Sequence, residues 1–104
     1  MAASGNIGDK HAFFEPVHGS APKHAGQNKV NPIASINSIQ MMLDWLGRKN
    51  GEEELVKISK LIDESVADHL REGKSLTYDL GGTASCSNVG ESIASLLSTK
   101  LSEF

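Results

Sequence analysis

Asn31-Pro32-Ile33-Ala34-Ser35-Ile36-Asn37-Ser38-Ile39-Gln40-Met41-Met42-Leu43-Asp44-Trp45-Leu46-Gly47 divides this chain of 104 residues in two. Asn31 can accept hydrogen bonds from the free amides of a first helical turn, and Pro32 at the first helical position gives up no donor that the helix needs. Ile33, Ile36, Gln40, Leu43 and Leu46 follow at three- and four-residue steps, the spacing of one helical face. Met41, Met42 and Trp45 widen that face and read as core. Gly47 reads as the end of the helix.

Downstream, the pattern repeats with different punctuation. Asn50 is a candidate cap, and Glu52-Glu53-Glu54 place negative charge where a helix N-terminus favours it. Leu55, Ile58, Leu61, Ile62, Val66 and Leu70 form the buried stripe of a second helix, and Gly73 terminates it. Ser75 to Leu80 reads as extended and Gly81-Gly82 as a turn. Ser85 or Ser87 can cap a third helix whose face is Val89, Ile93, Leu96, Leu97 and Leu101.

Upstream the composition changes. Residues 1–32 have few long aliphatic side chains but all three prolines and three of the four histidines. Ala12-Phe13-Phe14-Glu15-Pro16-Val17-His18 reads as a strand with Pro16 at its end or on an edge, because proline removes a ladder donor. Residues 19–30 are loop chemistry. The expected organisation is one unit, with a strand and loop over 1–32 and a helical part over 33–104. It is α/β in class, with three amphipathic helices and one or two short strands. One clear strand makes no sheet, so this is either a small helical module or a piece of an α/β protein whose other strands lie elsewhere.

Composition sets limits on partners. A net charge of −3 argues against general nucleic-acid binding. No apolar run approaches the roughly 18–20 residues that span a bilayer. Cys86 is the single cysteine and cannot form an internal disulfide. Met1-Ala2-Ala3-Ser4-Gly5 has neither the basic patch nor the apolar core of a secretory signal, and a cytoplasmic setting is the expectation. His11 and His69 carry no motif and read as surface residues.

The segment with most chemistry is His18-Gly19-Ser20-Ala21-Pro22-Lys23-His24-Ala25-Gly26. Its glycines let a backbone approach a ligand closely, Ser20 adds a hydroxyl, and Lys23 adds a charge suited to phosphate. A surface turn rich in small residues has the same composition.

Order makes the reading more specific. Gly5-Asn6-Ile7-Gly8-Asp9, then Phe14-Glu15-Pro16-Val17-His18-Gly19-Ser20-Ala21-Pro22, Ala25-Gly26, Asn31-Pro32 and Tyr78-Asp79-Leu80-Gly81-Gly82-Thr83-Ala84 resemble, over essentially the whole chain, the C-terminal part of the decarboxylating β-hydroxyacid dehydrogenases. These include the isocitrate, homoisocitrate, 3-isopropylmalate and tartrate enzymes, and the resemblance is closest to isocitrate dehydrogenase. It implies a C-terminal segment of the large, cofactor-binding domain. It puts His18, Gly19, Ser20 and Ala21 at the adenine and ribose of a dinucleotide, and Asn31 on the adenine. Lys23 and His24 fall at the positions that select the cofactor, Tyr78 at a tyrosine that contacts the 2′-phosphate, and Asp79 near the adenosine. A lysine attracts a 2′-phosphate whereas a carboxylate repels it, so NADP is expected, with NAD as the alternative. Gly82 stands where the bacterial NADP pattern has an arginine, closer to the NAD-using pattern.

The resemblance also implies what lies outside this stretch: the arginines for the substrate carboxylates, the catalytic Tyr and Lys, and the aspartates that hold Mg²⁺ or Mn²⁺. Asp9 is not one of those aspartates by position. The expected activity is oxidative decarboxylation of isocitrate to 2-oxoglutarate by the complete enzyme, with this segment inactive alone. Isopropylmalate or homoisocitrate is the alternative 2-hydroxy acid, and a non-catalytic helical interaction module derived from the family is the alternative of another class. The apolar helix faces exceed what a chain of this size covers, so self-association is expected.

Overall fold

A computed structural model describes residues 2–17 and 25–103. Two short strands, β1 (Ala3–Ile7) and β2 (Ala12–Pro16), form an antiparallel hairpin. Three helices follow: α1 (Ile33–Asn50), α2 (Glu53–Glu72) and α3 (Cys86–Ser102), with one 3-10 turn, Tyr78–Leu80, between the last two. This is a mixed α/β piece, as the sequence implied.

The hairpin register pairs Gly5 with Phe14 and Ala3 with Pro16. Pro16 therefore closes β2, where its missing donor costs nothing. Alternation along β2 turns Ala12, Phe14 and Pro16 inward and leaves Phe13 and Glu15 exposed. The Phe14 ring meets Trp45 of α1 at 6.3 Å between centroids. Lys49 sits over the other part of that contact, 4.6 Å from the Trp45 ring, and donates to the Lys10 carbonyl at 2.8 Å. Met41 and Trp45 are half-buried and Met42 is exposed, because this side of α1 borders open clefts beside the hairpin. The cluster expected in the core is thus only a flank of it.

The core lies on the other side of α1, where Ile33, Val66, Val89 and Ile93 bring all three helices together, backed by Ile36, Leu70 and Ala84. Two helix boundaries differ from the sequence reading for one physical reason. Gly47 does not end α1; it lies inside it, where a Cβ would stand 2.7 Å from Val56 Cγ2 and 2.9 Å from the Val56 amide nitrogen. The glycine allows α2 to cross close to α1, and the left-handed residue that stops the helix is Gly51, at φ 67°. Asn50, expected as the cap of α2, is the last residue of α1; Glu52 takes the cap position without a side-chain bond. Gly73 ends α2 as expected. Ser85 caps α3 in a reciprocal box with Asn88.

His69 is a further correction. It is buried, 2% exposed, on the same stripe as Ile62 and Val66. Its Nδ1 lies 2.9 Å from Ser92 Oγ of α3, and its Nε2 has no partner. Nearby, Lys100 of α3 donates to Asp68 of α2 at 2.8 Å. That bond holds the Asp68 carboxyl below its ordinary value against the opposing effect of burial, and Asp68 raises the Lys100 ammonium in return. Among the described residues, no helix is long and apolar enough to cross a membrane.

Candidate functional site

The start of α1, the 3-10 turn and the start of α3 converge at one edge of the bundle. Asn31 is the hinge of this arrangement. Its Oδ1 accepts from the Ile33 amide at 3.0 Å, satisfying one free donor of the first turn, while α1 itself begins one residue after Pro32. Its Nδ2 donates to Asp79 Oδ2 at 3.1 Å, joining positions 48 residues apart. The other Asp79 oxygen accepts from the Thr77 hydroxyl, and Thr77 is fully buried. Burial pushes the Asp79 carboxyl up, but the hydrogen bonds from Thr77 and Asn31 outweigh it and hold the group below its ordinary value. An ionised Asp79 therefore fixes the Asn31 amide through a charge-assisted bond.

Beside this pair lies a cavity of about 330 Å³ lined by Lys29, Tyr78, Gly82, Thr83 and Ala84, within the roughly 300–1,000 Å³ usual for small-molecule sites. Its polar groups are a cation, a phenol and a threonine hydroxyl around a glycine with no side chain, a donor set suited to a ribose and a phosphate. The residues present thus fit the adenosine end of a dinucleotide. Gly82 is held by its own amide, which donates to the Thr77 carbonyl at 3.0 Å, and Ala84 donates to the Leu76 carbonyl at 2.9 Å.

Of the residues singled out from sequence, the structure brings Asn31, Tyr78 and Asp79 to this edge. His18, Gly19, Ser20, Ala21, Lys23 and His24 lie outside the described residues. Three residues were missed: Thr77, Asn28 and Lys29. Asn28 carried a usable signal, since an asparagine shortly after Gly26 in a loop tolerates positive φ, and here it stands at 56°. Among the described residues, no three of His, Cys, Asp and Glu lie close enough to hold a metal ion.

Hairpin, three helices and a loop-lined cavity at one edge define an α/β protein segment. The model of the isocitrate/isopropylmalate dehydrogenase family matches residues 1–93, and the chain belongs to that family. It is 45% identical over 101 residues to a homoisocitrate dehydrogenase of Methanocaldococcus jannaschii, covering 97% of this chain and 27% of that one. It is 43% identical over 94 residues to a 3-isopropylmalate dehydrogenase of Methanothermobacter thermautotrophicus, covering 90% of this chain and 26% of that one. It is 40% identical over 104 residues to a regulatory subunit of an NAD isocitrate dehydrogenase of Dictyostelium discoideum, covering 99% of this chain and 27% of that one. The chain spans about a quarter of the length of the curated relatives it matches.

Proposed function

We propose that this chain is the adenosine-binding, C-terminal segment of a dehydrogenase that oxidatively decarboxylates isocitrate to 2-oxoglutarate with NADP. The observation that carries the reading is the Asn31–Asp79 bond, which ties two motifs distant in sequence together beside one cavity. In this reading His18, Gly19, Ser20 and Ala21 wrap the adenine and its ribose. Asn31, its amide held by Asp79, presents its remaining hydrogen-bonding groups to the adenine edge. Lys23 and Tyr78 hold the 2′-phosphate, with His24 beside them. The dinucleotide, when bound, supplies the hydride acceptor, and Mg²⁺ or Mn²⁺ held by other parts of the enzyme supplies the Lewis acid that polarises the substrate oxygen. This segment's contribution is to seat and orient the nucleotide.

The cofactor assignment is tested by kcat/KM for NADP⁺ and NAD⁺ in the complete enzyme, before and after Lys23→Asp. A well-formed charge-assisted bond is worth about 1.5–3 kcal/mol, so the preference should move toward NAD by about ten- to a hundredfold. A wild type that prefers NAD, or a ratio that the substitution leaves unchanged, contradicts the assignment. Comparing isocitrate, homoisocitrate and isopropylmalate as substrates tests the choice of 2-hydroxy acid. Assembly with further copies is part of the proposal, supported by Ile7, Phe13 and Ile39, each more than half exposed.

A further inference from the structure

Lys29 takes no part in the motifs discussed above, yet it lines the same cavity as Tyr78 and Gly82. Among the described residues of that lining it is the single charged side chain. The ion pairs among the described residues engage Arg48, Arg71 and Lys100, and Lys29 is in none of them. No carboxylate among the described residues therefore neutralises it, and its charge is available to a ligand.

Its position is fixed by the residue before it. Asn28 stands in the left-handed region at φ 56° and is clamped to the start of α3 by three hydrogen bonds. Its carbonyl accepts from the Cys86 amide at 2.8 Å, its Oδ1 accepts from the Ser87 amide at 2.9 Å, and its Nδ2 donates to Ser87 Oγ at 2.8 Å. Two of the orphan amides of α3 are thereby satisfied by a residue 59 positions away. The same latch holds the backbone from which the Lys29 side chain reaches the cavity. Gly82, in the same lining, offers no side chain, and among the described residues of the lining the positive charge comes from Lys29.

We propose that Lys29 is a specificity-determining residue whose ammonium reads the phosphate on the adenosine 2′ position, in place of the cation that Gly82 lacks. This rests on the reading of the cavity as the adenosine site. The test compares wild type, Lys29→Met and Lys29→Arg in the complete enzyme, with NADP⁺ and NAD⁺ in steady state and with 2′,5′-ADP and 5′-AMP in calorimetric binding. Lys29→Met should lower the NADP/NAD ratio of kcat/KM about tenfold, the scale of one partly exposed charge-assisted bond. The change should appear as a higher KM for NADP⁺ with kcat retained. Binding of 2′,5′-ADP should weaken by a similar factor and lose part of its salt dependence, while 5′-AMP is unaffected. Lys29→Arg should keep most of the preference. An unchanged ratio in Lys29→Met, or equal losses for both nucleotides and for 5′-AMP, overturns the assignment. Failure of the wild type to bind 5′-AMP, 2′,5′-ADP or either dinucleotide overturns the site reading itself, and this inference with it.

Discussion

Gly82 invites a substitution that looks constructive and should fail. Replacing it with arginine would restore the cation of the bacterial NADP pattern. A Cβ built on Gly82, however, falls inside the van der Waals surface of the Leu76 carbonyl oxygen and 2.6 Å from its carbonyl carbon. Both are backbone atoms and cannot rotate away. The loop must open, and with it the bonds from Gly82 to the Thr77 carbonyl and from Ala84 to the Leu76 carbonyl. Overpacking of this kind costs about 1–3 kcal/mol, and each lost backbone bond adds about 1 kcal/mol. Gly82→Ala, which adds only the methyl group, should therefore destabilise the protein by about 3–5 kcal/mol. Urea unfolding followed by the fluorescence of Trp45, the single tryptophan, reads this as a lower midpoint at constant m. Gly82→Arg should lose the same stability and show no gain in NADP preference, because Thr77 and Asp79 move with the loop. An unchanged midpoint in Gly82→Ala, or a rise in NADP preference in Gly82→Arg without loss of stability, refutes the argument.

The Asp68–Lys100 pair makes the stability pH-dependent at both extremes. Asp68, held low, contributes stability that is present above its unfolded value of about 3.9 and lost as pH falls through the lower folded value. Lys100, held high, contributes stability that is present below about 10.4 and lost as pH rises through the higher folded value. Lys100→Met should flatten both limbs of a plot of Tm against pH, and unaltered limbs would show that the pair is energetically silent. The 104-residue chain alone should give no turnover with isocitrate, isopropylmalate or homoisocitrate, with either nucleotide and Mg²⁺ or Mn²⁺; measurable nucleotide reduction contradicts this. Sedimentation of the same chain should show concentration-dependent association through its apolar faces, and a monomer at every concentration contradicts that.

The helices were legible because periodicity and terminators act locally: the stripe at Ile62 and Val66, the box at Ser85 and the stop at Gly73 each need only a few neighbours. Gly47 misled because a glycine that ends a helix and a glycine that admits a crossing helix look alike until Val56 is in place. β1 was not singled out as a strand because Ala3-Ser4-Gly5-Asn6-Ile7 has little strand propensity, and pairing with β2 overrides it. His69 was legible in principle, three residues beyond Val66 on the buried face, but a histidine without a motif is easily assigned to the surface. At the site, Asn31, Tyr78 and Asp79 were recognisable through their motifs. Lys29 was not, and Asn28 was legible only as a residue that tolerates positive φ, since their partners on α3 and in the cavity are distant in sequence.

The Asn31–Asp79 and Asn28–Ser87 bonds close loops of chain 48 and 59 residues apart, so the cavity they frame belongs to no shorter segment. Opening α3 releases the Asn28 latch, and displacing the 3-10 turn frees the Asn31 amide. A ligand held there therefore binds only the closed arrangement and resists every such opening. At a free concentration one hundred times its Kd it would add about 2.7 kcal/mol against unfolding. A ligand bound there would then slow proteolysis through these opened forms in step with its occupancy.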